Sequence, residues 1–217
     1  IKRLGKSLES REWVEAYKSA ELVGRRSSTY ARKLQRLGLW RAESGPILDI
    51  ACGTGEALCL LNSAGHQHLV GLDPTTHRNP CEPFHRVSGE GSHLPFPDGH
   101  FRHVICLHSL HHFRDLDQVV EMLAEARRVM HPTGRLYLID HFGSFYLHWI
   151  FKVLELRLPV FPKVMKDFGV QLRHEREYIY WWLKNWRELF PALEQTGLRV
   201  VRCRRRLFFF YLVAEPM

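Results

Sequence analysis

The chain has 217 residues, 45% of them hydrophobic, and a formal net charge of +8, so it carries enough apolar material for one full core and is expected to form a single domain. Its five cysteines (Cys52, Cys59, Cys81, Cys106, Cys203) are scattered and lack the paired spacing of a zinc site, which points to reduced thiols, a cytoplasmic protein and no metal. No run reaches the ~18 uncharged apolar residues of a membrane span, because Lys152, Glu155 and Arg157 interrupt the best candidate, "FGSFYLHWIFKVLELRLPVF". The positive charge is densest in "GRRSSTYARK" (24–33) and "RCRRR" (202–206), read as a solvated helix face and a hairpin turn. The first residue is Ile, not Met, so some preceding residues are expected to be missing.

Residues 10–38 read as one or two helices, with Trp13, Tyr17, Leu22, Tyr30, Leu34 and Leu37 at three- to four-residue spacing. A strand "ILDIA" follows Pro46, then a glycine turn, a helix over 56–64 and a strand "HLVGLD" ending at Asp73. Pro74, Asn79, Pro80 and Pro83 make the next crossover short or irregular. A third strand fits "FHRVSG", and the near-continuously apolar "FRHVICLHS" reads as a buried central strand. Asp115 with Gln118 forms a capping box for a helix that Pro132 and Gly134 end, and a strand "RLYLID" comes next. Residues 142–180 are rich in aromatics without one clean period, and a helix "NWRELFPALEQTG" follows. The strands "LRVVRCR" and "LFFFYLVAE" have so few residues between them that only a tight antiparallel hairpin can join them. The expected fold is α/β: a Rossmann-like, doubly wound, mostly parallel sheet closed by a β-hairpin.

The turn "ACGTG" places Gly53 and Gly55 between a strand and a helix, where bare backbone can approach a ligand and present free N–H groups. Asp73 ends the second strand, where a carboxylate accepts hydrogen bonds from ribose hydroxyls. A dinucleotide fingerprint would put a third glycine at position 58, which is Leu58, and no phosphate-binding G-x-x-x-x-G-K-[ST] occurs. A nucleoside without a phosphate chain therefore fits better than NAD or ATP.

The segments "ILDIACGTG", "GLDPT", "GEGSHLPFPDGHF", "CLHSLHHF" and "EARRVMHPTGRLYLID", in this order, resemble the successive motifs of the class I S-adenosylmethionine-dependent methyltransferases, in the small-molecule branch that includes the ubiquinone-pathway type. The resemblance covers about residues 45–141. It implies S-adenosyl-L-methionine as cofactor, with S-adenosyl-L-homocysteine as product. It also implies roles for particular residues: Asp49 at the methionine amino end, Ala51, Gly53 and Gly55 as backbone passing the cofactor, and Asp73 followed by Pro74 at the ribose. Glu90, Gly91 and Ser92 would read the adenine, while Leu107, His108 and His112 would lie near the methyl donor. The chain departs from the family pattern at Ala51, where a glycine is usual, at Arg102, where Asp is usual, and at Thr133, where Gly is usual. It departs again in the short interval from Asp73 to Glu90.

Methyl transfer needs aligned donor and acceptor and, for a weakly acidic acceptor, a base. Histidine suits that role near neutral pH, and His108, His111, His112 and His141 all follow the expected fourth and fifth strands. His111 and His141 are the candidate catalytic bases, with Asp140 a possible orienter of His141. In the family, residues 142–182 would form a substrate cap over a pocket lined by Phe142, Tyr146 and Trp149. The layout is then a helical cover (1–44), a cofactor-binding core (45–141), the cap (142–182) and a final helix with hairpin (183–217). The expected partner is a small, apolar or aromatic metabolite, with O-methylation the expected reaction. The alternatives are a nucleic-acid methyltransferase, for which no Asn-Pro-Pro-Tyr-like tetrapeptide or RNA-binding module is found, and a non-catalytic cofactor-binding subunit.

Overall fold

Strands form where β-branched and apolar residues are buried on both faces. In β1 (Ile47–Ile50) all four residues are buried, and β4 (Phe101–Leu107) is buried throughout except at Arg102. A computed structural model describes residues 20–74, 83–156 and 158–217. Trp13, Tyr17, Asn79, Pro80 and Cys81, on which parts of the sequence reading fell, lie outside the described residues. The remaining strands are β2 (Leu69–Asp73), β3 (His85–Ser88), β5 (Met130–His141), β6 (Leu198–Arg206) and β7 (Phe209–Pro216).

They form one seven-stranded sheet in the order β3-β2-β1-β4-β5-β7-β6. The first five are parallel, and β7 inserts antiparallel between β5 and β6. The chain passes from β3 at one edge back across to β4, so the direction of winding switches between β1 and β4. Open α/β sheets bind ligands in the crevice at that point, beyond the carboxyl ends of the strands.

Helices cover both faces. On one face, α1 (Ala20–Leu37) and α2 (Glu56–Ser63) bury Leu34, Leu37, Leu58 and Leu61 against Ile47, Ile105, Tyr137 and Ile139. On the other, α3 (Leu116–Val129) packs Val119, Met122 and Ala126 against Leu48, Ile50 and Val104. The expected cap on α3 is present: the Asp115 carboxylate accepts from the Gln118 backbone N–H at 3.0 Å, and the Gln118 side chain reaches back to the Arg114 N–H at 2.9 Å. The segment expected to form the cap folds as α4 (Phe145–Glu155), α5 (Lys163–His174) and α6 (Arg176–Asn185), held by a separate apolar cluster of Leu147, Phe151, Leu172, Ile179 and Leu183. A short α7 (Leu189–Gln195) precedes the hairpin.

Two details differ from the sequence reading. β5 begins at Met130 rather than Arg135, because Met130 already pairs with Phe101, and a register shift then takes up residues 131–134 before Arg135 pairs with His103. The arginines of 202–206 lie in β6 rather than in the turn, which is only Leu207 and Phe208. β6 is an edge strand, and exposed charge on an edge discourages pairing with another chain. The departures at Arg102 and Thr133 are linked, since the Arg102 guanidinium donates to Thr133 Oγ1 and to the Glu43 carboxylate. No helix among the described residues is long and apolar enough to cross a membrane.

Candidate active site

The glycine turn brings the ends of β1 and β2 together. Gly53 has φ 52°, and its N–H donates to Asp73 Oδ2 at 2.8 Å, which ties the turn to the acid that ends β2. Gly55 opens α2 with φ 78°, and a Cβ there would overlap the Phe84 ring, so only glycine fits. Ala51 also has positive φ, 58°. Replacing the family's glycine by alanine there adds backbone strain as well as a methyl group.

Asp49 is buried at the end of β1. Burial and the neighbouring Asp73 carboxylate push its acid well above the usual carboxylate range, against a smaller pull from Arg86. A buried, electron-rich site of this kind fits a cationic ammonium such as the methionine end of S-adenosylmethionine, which would restore the charged carboxylate. Pro74 is exposed just beyond Asp73. Glu90 is exposed, with Gly91 and Ser92 half-buried beside it, on a loop that Arg128 holds to α3: Arg128 donates to Leu94 O and Phe96 O, each at 2.9 Å, and pairs with Glu125. The residues assigned to the methionine, ribose and adenine parts of the cofactor lie around the β1, β2 and β3 ends, Leu107, His108 and His112 lie at and just after the end of β4, and Ser109 Oγ, 3.3 Å from Ala51 O, joins the two groups.

A second constellation occupies the ends of β4 and β5. Asp140 is fully buried and receives the His111 backbone N–H (3.1 Å) and the His141 backbone N–H (2.7 Å). Its oxygens also lie 2.9 and 3.0 Å from His111 Nδ1 and 3.3 Å from His141 Nδ1. Strand alternation sends Asp140 and His141 to opposite faces, but at the last residue of β5 the imidazole folds back to the carboxylate. Burial opposes a charge on His111, but Asp140 and then Glu175, 3.7 Å from Nε2, outweigh it and push the imidazole up to about 10. Burial opposes the Asp140 charge too, yet His111 holds the carboxyl well below its usual range. Burial lowers His141, with Asp140 offsetting part of the effect, so that ring is neutral at pH 7. The His112 ring lies tilted against His111 with centroids 4.2 Å apart, and burial and that imidazolium push it down to about 4.

His108 ends β4 in a left-handed conformation, φ 58°, and its Nε2 lies 2.6 Å from Lys33 Nζ on α1. Burial takes Lys33 down to about 7, against the pull of Asp140, and burial with the lysine beside it takes His108 well below its ordinary value. Phe209 faces Lys33, His108 and His141 at 4.1, 4.8 and 4.6 Å, Tyr30 stands edge-on to His108, and Phe151 of the cap lies 5.4 Å from His141. The result is a polar cluster with aromatic walls.

Of the residues expected to line the pocket, Phe142 packs beside Trp186, while Tyr146 and Trp149 are 76% and 61% exposed on the outside of α4. Phe151, one turn further on from Leu147, is the aromatic side chain that α4 turns inward. Lys33, Glu175 and Phe209 were not singled out from the sequence. The available signal for Lys33 was a lone cation on the apolar stripe of Tyr30, Leu34 and Leu37. His111, His112 and Glu175, and likewise His111, Asp140 and His141, offer ligand atoms within 4.8 Å of one another. Ion pairing between imidazole and carboxylate accounts for that closeness without a metal.

Residues 48–138 match a family described as a methyltransferase domain. A demethylmenaquinone methyltransferase from Chlamydia trachomatis is 30% identical over 106 residues, 45% of this chain and 45% of that protein, so the chain matches less than half the length of this curated relative. A SAM-dependent methyltransferase from Aquifex aeolicus superposes with TM-score 0.57 at 18% identity, covering 85% of this chain and 88% of that one. The 1,6-didemethyltoxoflavin-N1-methyltransferase of Burkholderia thailandensis, solved with 1,6-didemethyltoxoflavin and S-adenosylhomocysteine, superposes with TM-score 0.60 at 14% identity, covering 94% and 85%.

Proposed function

We propose, from a core that belongs with the class I S-adenosylmethionine-dependent methyltransferases, that the chain methylates a small apolar or aromatic acceptor at oxygen, with His141 as general base. The observation that carries this reading is the buried Asp140 carboxylate between His111 and His141 at the ends of β4 and β5. With Nδ1 facing Asp140, His141 keeps its Nε2 lone pair for a substrate proton, and Asp140 stabilises the imidazolium that forms. His111, already protonated beside Asp140, is the poorer base and serves as a fixed positive charge.

When bound, the cofactor supplies an electrophilic methyl group. Asp49 would take its ammonium, Asp73 its ribose hydroxyls and Glu90 its adenine amino group. Lys33 and His108 would hold the acceptor oxygen between Tyr30, Phe151 and Phe209. His141 Nε2 would take the acceptor's hydroxyl proton, while the cofactor would supply the methyl group to that oxygen and leave as S-adenosylhomocysteine. The names of the relatives support a small acceptor, one being demethylmenaquinone and the other 1,6-didemethyltoxoflavin. The described cysteines are unbridged, which supports a cytoplasmic setting.

The test is methyl transfer from labelled S-adenosylmethionine to a panel of phenols and hydroquinones. Activity should rise with pH through a pKa below about 6.5, the ordinary histidine value, and His141→Gln should abolish that dependence while His111→Gln keeps it. Cofactor binding without turnover on any acceptor would favour the non-catalytic subunit, and turnover on RNA alone would replace the small-molecule reading.

A further inference from the structure

The cap is apolar on both sides. Its inner face forms the Leu147, Phe151 and Leu172 cluster, but on the outside Phe145 (83% exposed), Tyr146 (76%), Trp149 (61%) and Leu156 (66%) recur along α4 at helical spacing. Val160, in the loop to α5, is 81% exposed. Water-facing aromatics grouped in this way contribute nothing to folding, and such patches mark interaction sites.

A second observation lies beside them. The hairpin tip places Leu207 in a left-handed conformation, φ 53°, and leaves it 75% exposed. Glycine or asparagine would suit that turn better, so an exposed leucine has no local reason to be there. The tip abuts the start of the cap: the Phe142 N–H donates to Phe208 O at 3.2 Å, and Phe208 packs on the cap cluster. Leu207 and the α4 aromatics therefore lie past the same end of the sheet.

The charge around this surface is of one sign. Residues 198–214 contain no acid, and residues 141–166 contain only Glu155, whose side chain pairs with Arg176. Lys152 interrupts the aromatic stripe, and Arg204, Arg205 and Arg206 are exposed next to Leu207. Trp and Tyr favour the boundary between hydrocarbon and water, and arginine and lysine favour anionic headgroups. We propose that the outer face of α4 and the hairpin tip dock on an anionic lipid surface, with the aromatic side chains and Leu207 entering the headgroup region and the arginines and Lys152 pairing with lipid phosphates. A soluble partner protein would need its own acidic, apolar patch, whereas a bilayer offers both properties everywhere. The inference goes beyond the methyl-transfer reading and does not depend on turnover.

The test is co-sedimentation of the purified chain with vesicles of phosphatidylcholine alone or mixed with phosphatidylglycerol, at low and high salt. Binding is expected to the mixed vesicles, at least about tenfold tighter than to phosphatidylcholine, and to weaken with salt. Phe145→Ser with Trp149→Ser should lose about tenfold or more in affinity. Leu207→Gly relieves the turn, so it should fold at least as well as the wild type and still bind several-fold more weakly. Three results would overturn the proposal: no binding to mixed vesicles, loss of binding on replacing the arginines but not the aromatics, or a wild-type dimer in sedimentation velocity that the aromatic variants abolish.

Discussion

The two halves of the candidate site are built in different ways. The cofactor side, around β1 and β2, is mostly backbone: a turn with positive φ at three alternate positions, Ala51, Gly53 and Gly55, closed by the carboxylate 20 residues beyond Gly53. The acceptor side, around β4 and β5, is side chains from five separate places: Lys33, His108 to His112, Asp140 with His141, Glu175 and Phe209. Backbone cradles need only a local motif and bind any ligand of the right outline. Side-chain clusters need the whole fold and can be altered one group at a time.

If that division holds, variants on the two sides should separate binding from turnover. The largest effect is expected from His141→Gln, which should lower turnover about 10²- to 10⁴-fold with cofactor affinity by calorimetry nearly intact. Asp140→Ala removes the counter-charge of a buried imidazolium and should destabilise the fold by about 3–5 kcal/mol in chemical denaturation. On the other side, Asp73→Ala should weaken S-adenosylmethionine binding by about 1–3 kcal/mol, since the ribose loses a charged acceptor and Gly53 its tether. Unchanged affinity in that variant would erase the contrast between the halves.

The pH dependence of stability sharpens the comparison within the acceptor side. His111 is raised from 6.5 to about 10 in the fold, so it binds more protons folded than unfolded between those values, and its stabilisation is lost as pH rises. Lys33 is lowered from 10.5 to about 7, so it binds fewer protons folded than unfolded in nearly the same window, and stability should rise with pH. The two slopes oppose one another and should leave the wild-type profile shallow. Denaturation midpoints between pH 7 and 10 should fall with pH in Lys33→Met and rise in His111→Gln. The smallest effect is expected at Ala51→Gly, a change within about 1 kcal/mol, because relief of the left-handed strain is partly offset by glycine's greater freedom when unfolded.

The same division explains what could be read from the sequence. The succession of strands along the chain, the capped α3 and the terminal hairpin follow from local signals: apolar periodicity, Asp115 with Gln118, and the short interval between two β-rich runs. The Gly-x-Gly turn and Asp73 were legible because their spacing along the chain is itself the motif. His111, Asp140 and His141 could be named as candidates, but their protonation states could not, because these arise from burial and from Glu175, 64 positions beyond His111. Tyr146 and Trp149 were expected to face a pocket because they fall where the family resemblance places a substrate cap. In α4 both faces are apolar, so composition cannot assign a direction, and only packing shows that Phe151 points in and Trp149 out.

The position of β7 bears on how the molecule is made. It comes last of the seven described strands, yet it lies inside the sheet, with His141 opposite Phe209 and Leu136 opposite Ala214. On a ribosome, the glycine turn and its Asp73 emerge and can fold early, while β5 waits with an open edge until β7 is released. The cluster of Lys33, His108, His141 and Phe209 is therefore complete only once β7 is in place. A nascent chain stalled before the hairpin would present the long apolar edge of β5 to its neighbours, a recruiting point for chaperones or for aggregation.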